Sequence, residues 1–333
     1  MKTLVAISDA GLRELFWQEH TLSKLLRCSE VDFVPINERF AIEQLAERIS
    51  EYDACITSWG SPYFAPEVLA RADRLKFIGH GAGSVAAIVN EDVFATSIAV
   101  TSANKVLALS TAECAVSLIM AGAWDIAGYS HRLKQGQWSQ NNRETILGVT
   151  RRVVGLVGYG EISKQVIRML QPFQVQILLT SGYCTQEEAA ALGVELCGLD
   201  ELFERSDIVS LHTTLTPGTQ GMVGAEQLKR LRDGALLVNT ARGPIVEEKA
   251  LVEELRTGRI FAALDVYDEE PLPADHALLT LQNVLCLPHI GGYHGLLKRE
   301  LCDFIVDELQ RFVSGEELLG QVTLSHYRRL TPK

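Results

Sequence analysis

Residues 153–170 constrain the fold more than any other stretch. Val153-Val154-Gly155-Leu156-Val157 is apolar and mostly β-branched, as a buried parallel strand is. Gly158-Tyr159-Gly160 then allows a sharp turn and a close backbone approach to a ligand, and from Ile162 the apolar spacing becomes helical. A strand, a glycine turn and a helix N-terminus aim free N–H groups and the helix dipole at one point, which suits the pyrophosphate of a dinucleotide. The third glycine of that pattern is Ser163 here. Alone the pattern is weak, since a plain strand-to-helix turn shares it; the later strand ends strengthen it.

A chain of 333 residues has room for about two domains. Hydrophobic content of 47% and charged content of 22% describe an ordinary globular protein. A net charge of −11 argues against nucleic acid or an anionic membrane as the main partner. No apolar run approaches the roughly 20 residues of a membrane span. The opening Met1–Leu12 reads as a first strand and turn, not a signal peptide. Seven scattered cysteines, odd in number and without a C-x-x-C pair, point to reduced thiols in a cytoplasmic protein and to no metal site.

Taken in order, residues 1–104 alternate strand-like pieces (4–8, 32–36, 54–57, 75–79) with helical ones, a rhythm that implies a parallel sheet. His80-Gly81-Ala82-Gly83-Ser84 follows the fourth piece, where exposed amides can hold a carboxylate. Trp59 lies at the exit of the third and is placed either in a pocket wall or in simple packing. His80 could face a pocket or serve the structure. Residues 107–121 are apolar nearly all round with Glu113 the only charge, and predict a helix buried between two domains. Trp138 is assigned to packing. From about 151 to 290 a second α/β unit follows, with strands at 175–179, 207–212, 234–243, 260–266 and 284–287, then a final amphipathic helix at 296–314.

Three of those strand exits present Arg242, Glu270 and His289. An Arg holds a carboxylate or polarises a carbonyl through its fork of donors. A His exchanges a proton near neutral pH, and a carboxylate beside it favours the imidazolium. Together they suit hydride transfer to a 2-keto acid, with Arg242 orienting it, His289 protonating its oxygen and Glu270 holding the imidazole. Singly, each has an ordinary reading as a surface ion pair, a loop acid or a turn histidine; their recurrence on successive strand ends favours the catalytic one.

At this point the chain resembles the D-isomer-specific 2-hydroxyacid dehydrogenases. The motifs are GLVGYGEIS, SLHTTLTPGTQGMV, LLVNTARGPIVEEKAL, ALDVYDEEPL and LPHIGG, in order, within a likeness that covers nearly the whole chain. The resemblance implies two Rossmann-like, doubly wound parallel-sheet domains with an active-site cleft between them. A flavodoxin-like substrate domain would be built from residues 1–104 plus 293–333, and an NAD-binding domain from 105–292. It implies that Arg242, Glu270 and His289 are catalytic, and that Ala82 and Gly83, with Trp59 and Arg242, meet the substrate. Thr111, Gly158, Gly160, Glu161, Ile162, His212, Thr213, Thr240, Ala241, Asp265 and His289 match cofactor-contacting positions, Asp265 being similar to the residue that binds the nicotinamide amide. A homodimer through the nucleotide domain is implied as well.

Three places depart from the family. Ser163 replaces the third glycine, which would set helix and strand slightly further apart. The loop at Gly83-Ser84-Val85 lacks the Asp or Asn that often follows it, which leaves the substrate open. Ser181 stands where an Asp usually grips the ribose; a serine can still hydrogen-bond a ribose hydroxyl. No Lys or Arg occurs between Met169 and Glu204, so NAD(H) is expected as the preferred cofactor, with some NADP(H) use. The main expectation is a reductase of small 2-keto acids to D-2-hydroxy acids. The alternatives are a nucleotide-sensing regulatory protein on the same fold, which need not keep all three catalytic residues, and formate oxidation, whose His is paired with Gln where Glu270 stands here.

Overall fold

A computed structural model describes residues 1–138 and 146–331. The chain divides into two compact units: Met1–Ala108 with Tyr293–Lys333, and Leu109–Gly292.

The first unit is a five-stranded parallel sheet. Its strands are β1 (Lys2–Val5), β2 (Glu30–Phe33), β3 (Ala54–Thr57), β4 (Phe77–His80) and β5 (Ala99–Ser102), in the order β2-β1-β3-β4-β5. That is the flavodoxin-like order, with its switch point between β1 and β3. The strands are apolar on both faces because helices cover both. Leu4, Cys55, Ile78 and Val100 belong to one core cluster, and their neighbours Val5, Ile56 and Phe77 to the other. The helix Gly295–Ser314 closes the second face with Leu301, Cys302, Ile305, Val306 and Leu309.

The second unit is a seven-stranded parallel sheet of β6 (Val153–Val157), β7 (Gln176–Thr180), β8 (Glu195–Leu196), β9 (Ile208–Leu211), β10 (Leu236–Asn239), β11 (Phe261–Leu264) and β12 (Val284–Cys286). The order is β12-β11-β10-β9-β6-β7-β8. The chain winds outward from β6 through β7 and β8, then returns to β9 on the other side. The carboxyl ends of β6 and β9 therefore flank the point where open α/β sheets bind ligands. Leu178 packs on one face and its neighbours Ile177 and Leu179 on the other, the period-2 alternation of a sheet buried twice.

Three expectations need correction. The apolar helix spans Asn104–Ala123, and it is not buried all round: Ala112, Ala115, Leu118 and Ile119 enter the core of the second unit, while Glu113 and Ser117 are exposed. At 20 residues it also has the length and composition of a membrane span, contrary to the reading that no run approaches one. Small residues and that core face make it a packing helix, a composition that length alone does not distinguish. Trp138, assigned to packing, is 75% exposed.

Candidate functional site

The glycine turn after β6 is shaped by one close approach. Gly158 has φ +102°, and a methyl group there would meet the Thr213 amide nitrogen at 2.6 Å. The β6 and β9 exits thus touch backbone to backbone, which only glycine permits. Over Gly160, by contrast, nothing lies within 4 Å. Its open face lies at the N-terminus of the helix Glu161–Leu170, whose free amides suit an anion. Ser163 fills the third-glycine position fully buried, its hydroxyl donating to the Gly158 carbonyl at 2.7 Å, so it pins the turn rather than merely occupying space.

At the β9 exit, both ring nitrogens of His212 are buried without a partner among the described residues, and burial pulls its pKa down to about 4. The imidazole is therefore neutral near pH 7. Thr240, at the β10 exit, is buried with its hydroxyl likewise unpartnered. Unsatisfied polar groups around an open glycine turn fit a dinucleotide that would complete their hydrogen bonds. Thr111 and Thr213 are half-buried and Ala241 is buried. Ser181 accepts a hydrogen bond from the Tyr183 amide at 3.1 Å, which leaves its O–H as a donor. Lys164 comes within electrostatic reach of Cys184 and Glu188. It reaches this region from the helix Glu161–Leu170 after β6, outside the segment from 170 to 203 that holds no cation. It is paired with Glu161 at 3.1 Å, so its charge is already partly met.

The exits of β10, β11 and β12 carry the three reactive side chains. Asn239 accepts from the Ala241 amide at 3.0 Å and donates to the Arg242 carbonyl at 2.9 Å, stitching the turn that carries Arg242. The exposed Arg242 guanidinium donates to the Ala241 carbonyl at 2.6 Å; crowding by protein lowers its pKa and the Glu270 carboxylate opposes that shift. Arginine stays charged at pH 7 either way. Glu270 accepts from the Tyr267 amide at 3.0 Å through Oε1 and meets His289 Nδ1 at 2.6 Å through Oε2. The Glu270–Pro271 peptide is cis.

His289 has φ +54°, a left-handed conformation that a non-glycine residue adopts at a cost. Two anchors hold it. Before it, the Tyr267 hydroxyl donates to the Leu287 carbonyl at 2.8 Å. After it, the buried Asp265 accepts from the Ile290 and Gly291 amides, both at 2.8 Å. With Nδ1 on Glu270, Nε2 is the nitrogen left to exchange a proton with a ligand. Asn239 and Tyr267 carry no assigned role in the sequence reading. Asn239 is visible there only as a polar residue at a strand exit, and no sequence signal marks Tyr267.

In the first unit, Ala82 is buried and its amide donates to the His80 carbonyl at 2.8 Å. That corrects the expectation of two amides free for a carboxylate: the half-buried Gly83 is the one left to offer its N–H. His80 is 2% exposed, its Nδ1 is 3.0 Å from the Thr57 hydroxyl, and burial lowers its pKa to about 4, which makes it a structural neutral imidazole. Trp59 is 40% exposed and stacks obliquely on Phe16 at 6.3 Å.

A doubly wound parallel sheet with a glycine turn at its switch point and an Arg, a Glu–His pair and unsatisfied polar groups on its strand exits defines a dinucleotide-binding α/β protein. Comparison with known proteins gives the family. Residues 116–291 match the D-isomer specific 2-hydroxyacid dehydrogenase NAD binding domain. The chain is 33% identical over 302 residues to a glyoxylate reductase of Korarchaeum cryptofilum, covering 90% of this chain and 91% of that one. It is 33% identical over 289 residues to a D-3-phosphoglycerate dehydrogenase of Methanocaldococcus jannaschii, covering 86% of this chain and 55% of that longer one. Among solved structures, the TT0316 protein of Thermus thermophilus aligns with a TM-score of 0.72 and 30% identity, over 97% of this chain and all of that one. The chain belongs to the D-isomer specific 2-hydroxyacid dehydrogenase family. It is an oxidoreductase of that family, using a pyridine nucleotide to interconvert a 2-keto acid and a D-2-hydroxy acid. The regulatory alternative finds no support.

Proposed function

We propose that this chain reduces 2-keto acids with Arg242, Glu270 and His289 as its catalytic set. The observation that carries this reading is the 2.6 Å contact between His289 Nδ1 and Glu270, on a His289 backbone held in a left-handed conformation. A reduced nicotinamide, when bound, supplies the hydride that converts the carbonyl carbon to C–H. Arg242 holds the keto acid and polarises its carbonyl. His289 gives the proton on Nε2 to the carbonyl oxygen, which becomes the hydroxyl, and Glu270 keeps the imidazole oriented and balances its charge. The Gly83 amide takes the substrate carboxylate. Gly158, Gly160, Glu161 and Ile162 receive the pyrophosphate, Ser181 a ribose hydroxyl, and Thr111, His212, Thr213, Thr240, Ala241 and Asp265 the rest of the nucleotide.

NAD(H) is the preferred cofactor in this reading and NADP(H) a weaker one. Ser181 brings no charge against a 2′-phosphate, but Lys164 is committed to Glu161 and no other cation lies in the β7 exit segment. The protein acts as a homodimer in a reducing compartment, the cytoplasm. The free state of all seven cysteines, three of them buried, suits that location. The test is a panel of 2-keto acids with NADH and NADPH, followed at the nicotinamide absorbance band. Turnover with several keto acids is expected, and none with any would overturn the reading. A kcat/KM ratio favouring NADPH by more than about tenfold would overturn the cofactor preference.

A further inference from the structure

We propose that Lys298, framed by Trp59 and Tyr293, is a specificity-determining residue that binds an anionic group on the 2-substituent of the substrate. The favoured keto acid would then carry a second anion, carboxylate or phosphate, besides the carboxylate next to its carbonyl. The inference rests on the oxidoreductase reading above and assigns the part of the substrate that the reading leaves open.

Lys298 Nζ lies 3.9 Å from the centroid of the Tyr293 ring and 5.3 Å from that of Trp59. Ring faces hold an ammonium through their quadrupoles without neutralising it. Lys2, Lys24 and Lys164 each pair with a carboxylate. Among the described lysines with no carboxylate partner, Lys298 alone is half-buried, the others being exposed. Burial pulls its pKa down, the signature of a cation whose desolvation is not compensated. Its three N–H donors suit an anionic oxygen. Tyr293 is 64% exposed and Trp59 40%, so two large aromatic faces stay open around that charge.

The position within the first unit points to the substrate. Trp59 follows Ser58, whose hydroxyl donates to the Gly81 carbonyl at 2.9 Å, directly before Ala82 and Gly83. Ser61, two residues on, donates to the Ala6 carbonyl at 2.5 Å, so this loop joins the β1 and β3 exits at the switch point of the sheet. Lys298 stands four residues before Cys302 on one face of its helix. Cys302 underlies the same loop: a methyl group on Gly81 would meet its Sγ at 2.7 Å. The lysine therefore extends one helical turn from the residue beneath the carboxylate loop.

The experiment compares kcat/KM for matched keto acids. 2-Oxoglutarate is set against 2-oxopentanoate for a carboxylate tail, and the phosphorylated against the free form of 3-hydroxy-2-oxopropanoate for a phosphate tail. In the wild type at least one anionic partner should lead by about tenfold or more. Lys298→Met should collapse that ratio, chiefly through KM, and Lys298→Arg should restore much of it. A second readout needs no turnover. Succinate should quench Trp59 fluorescence saturably, the Trp59→Phe variant giving the background, and Lys298→Met should weaken its binding. An unchanged ratio in Lys298→Met, in an enzyme that reduces keto acids, sinks this inference alone. Lys298-dependent succinate binding in a protein that reduces no keto acid would keep the anion site and sink the oxidoreductase reading instead.

Discussion

At the scale of single residues, the sequence displays the side chains at strand ends from which the proposed site is built. Arg242, Glu270 and His289 are such cases, and the fold brings the last two to 2.6 Å. Removing His289 with Ala should lower kcat by roughly a hundredfold or more, the usual scale for a general acid. Steady-state kinetics on the best substrate checks this, and near-normal turnover would refute the role. Glu270→Gln should keep the cofactor Kd and lower kcat about tenfold or more, because the amide orients the ring without balancing its charge; equal losses in both would point to a folding defect. Illegible were the residues that act through backbone atoms. Asn239 and Tyr267 hold turns by bonding amides and carbonyls whose positions no sequence displays, and Asp265, singled out for the cofactor, also accepts from the Ile290 and Gly291 amides. His80 was ambiguous for the same reason, since only burial decides its state. Its pKa, about 4 against an ordinary 6.5, means that the unfolded chain takes up the proton first as pH falls. The stability His80 contributes is full above about pH 6.5 and is lost as the pH drops toward 4, by up to about 1.4 kcal/mol per pH unit. Denaturant unfolding across that window should show a shallower acid slope in His80→Gln, by about one proton; an identical slope would mean that His80 is not buried neutral.

At the scale of elements, strand starts were read more closely than strand exits: the expected starts fall within two residues of the observed ones, while β1 and β2 end three residues earlier than the sequence suggests. Parallel strands announce themselves by unbroken apolar runs, so β3 was bounded correctly, while β1, β2 and β4 shift by two residues or so. The two-residue β8 buries too little to leave a pattern. The helix Asn104–Ala123 misled because alanine and serine read as apolar or neutral wherever they face; its one-sided packing emerges only with the sheet in place. The glycine turn offers the sharpest test of element against ligand. Gly158→Ala puts a methyl group 2.6 Å from the Thr213 amide at a φ that L-residues avoid, so it should destabilise the second unit by about 1–3 kcal/mol or more. Gly160→Ala meets nothing within 4 Å, so its melting temperature should barely change while NADH binding weakens about tenfold. Thermal melts with and without NADH separate the two. If Gly160→Ala bound NADH like the wild type, the pyrophosphate would not lie on that turn.

At the scale of the whole molecule, one helix is incomplete by itself. Ile126–Lys134 has nine residues and buries none of them among the described residues. Trp124, Ile126 and Leu133 on and beside it are 49%, 56% and 55% exposed. An isolated helix of fewer than about 12 residues is marginal in water, so this one needs a surface to lie against. Ile126 and Leu133, seven residues apart, share one face of the helix, and in the homodimer proposed above a second copy of the chain would cover them. Self-association of a chain with net charge −11 must bring like charges together. That demands an apolar, charge-poor contact, and added salt should strengthen rather than loosen it. Light scattering at micromolar concentration should therefore give twice the 36.7 kDa chain mass. Paired substitutions Ile126→Asp and Leu133→Asp, which touch no described core residue, should yield the monomer. Their melting temperature should lose the dependence on protein concentration expected of a wild type stabilised by association. A wild-type monomer would overturn the homodimer, and a dimer indifferent to both aspartates would place its contact elsewhere.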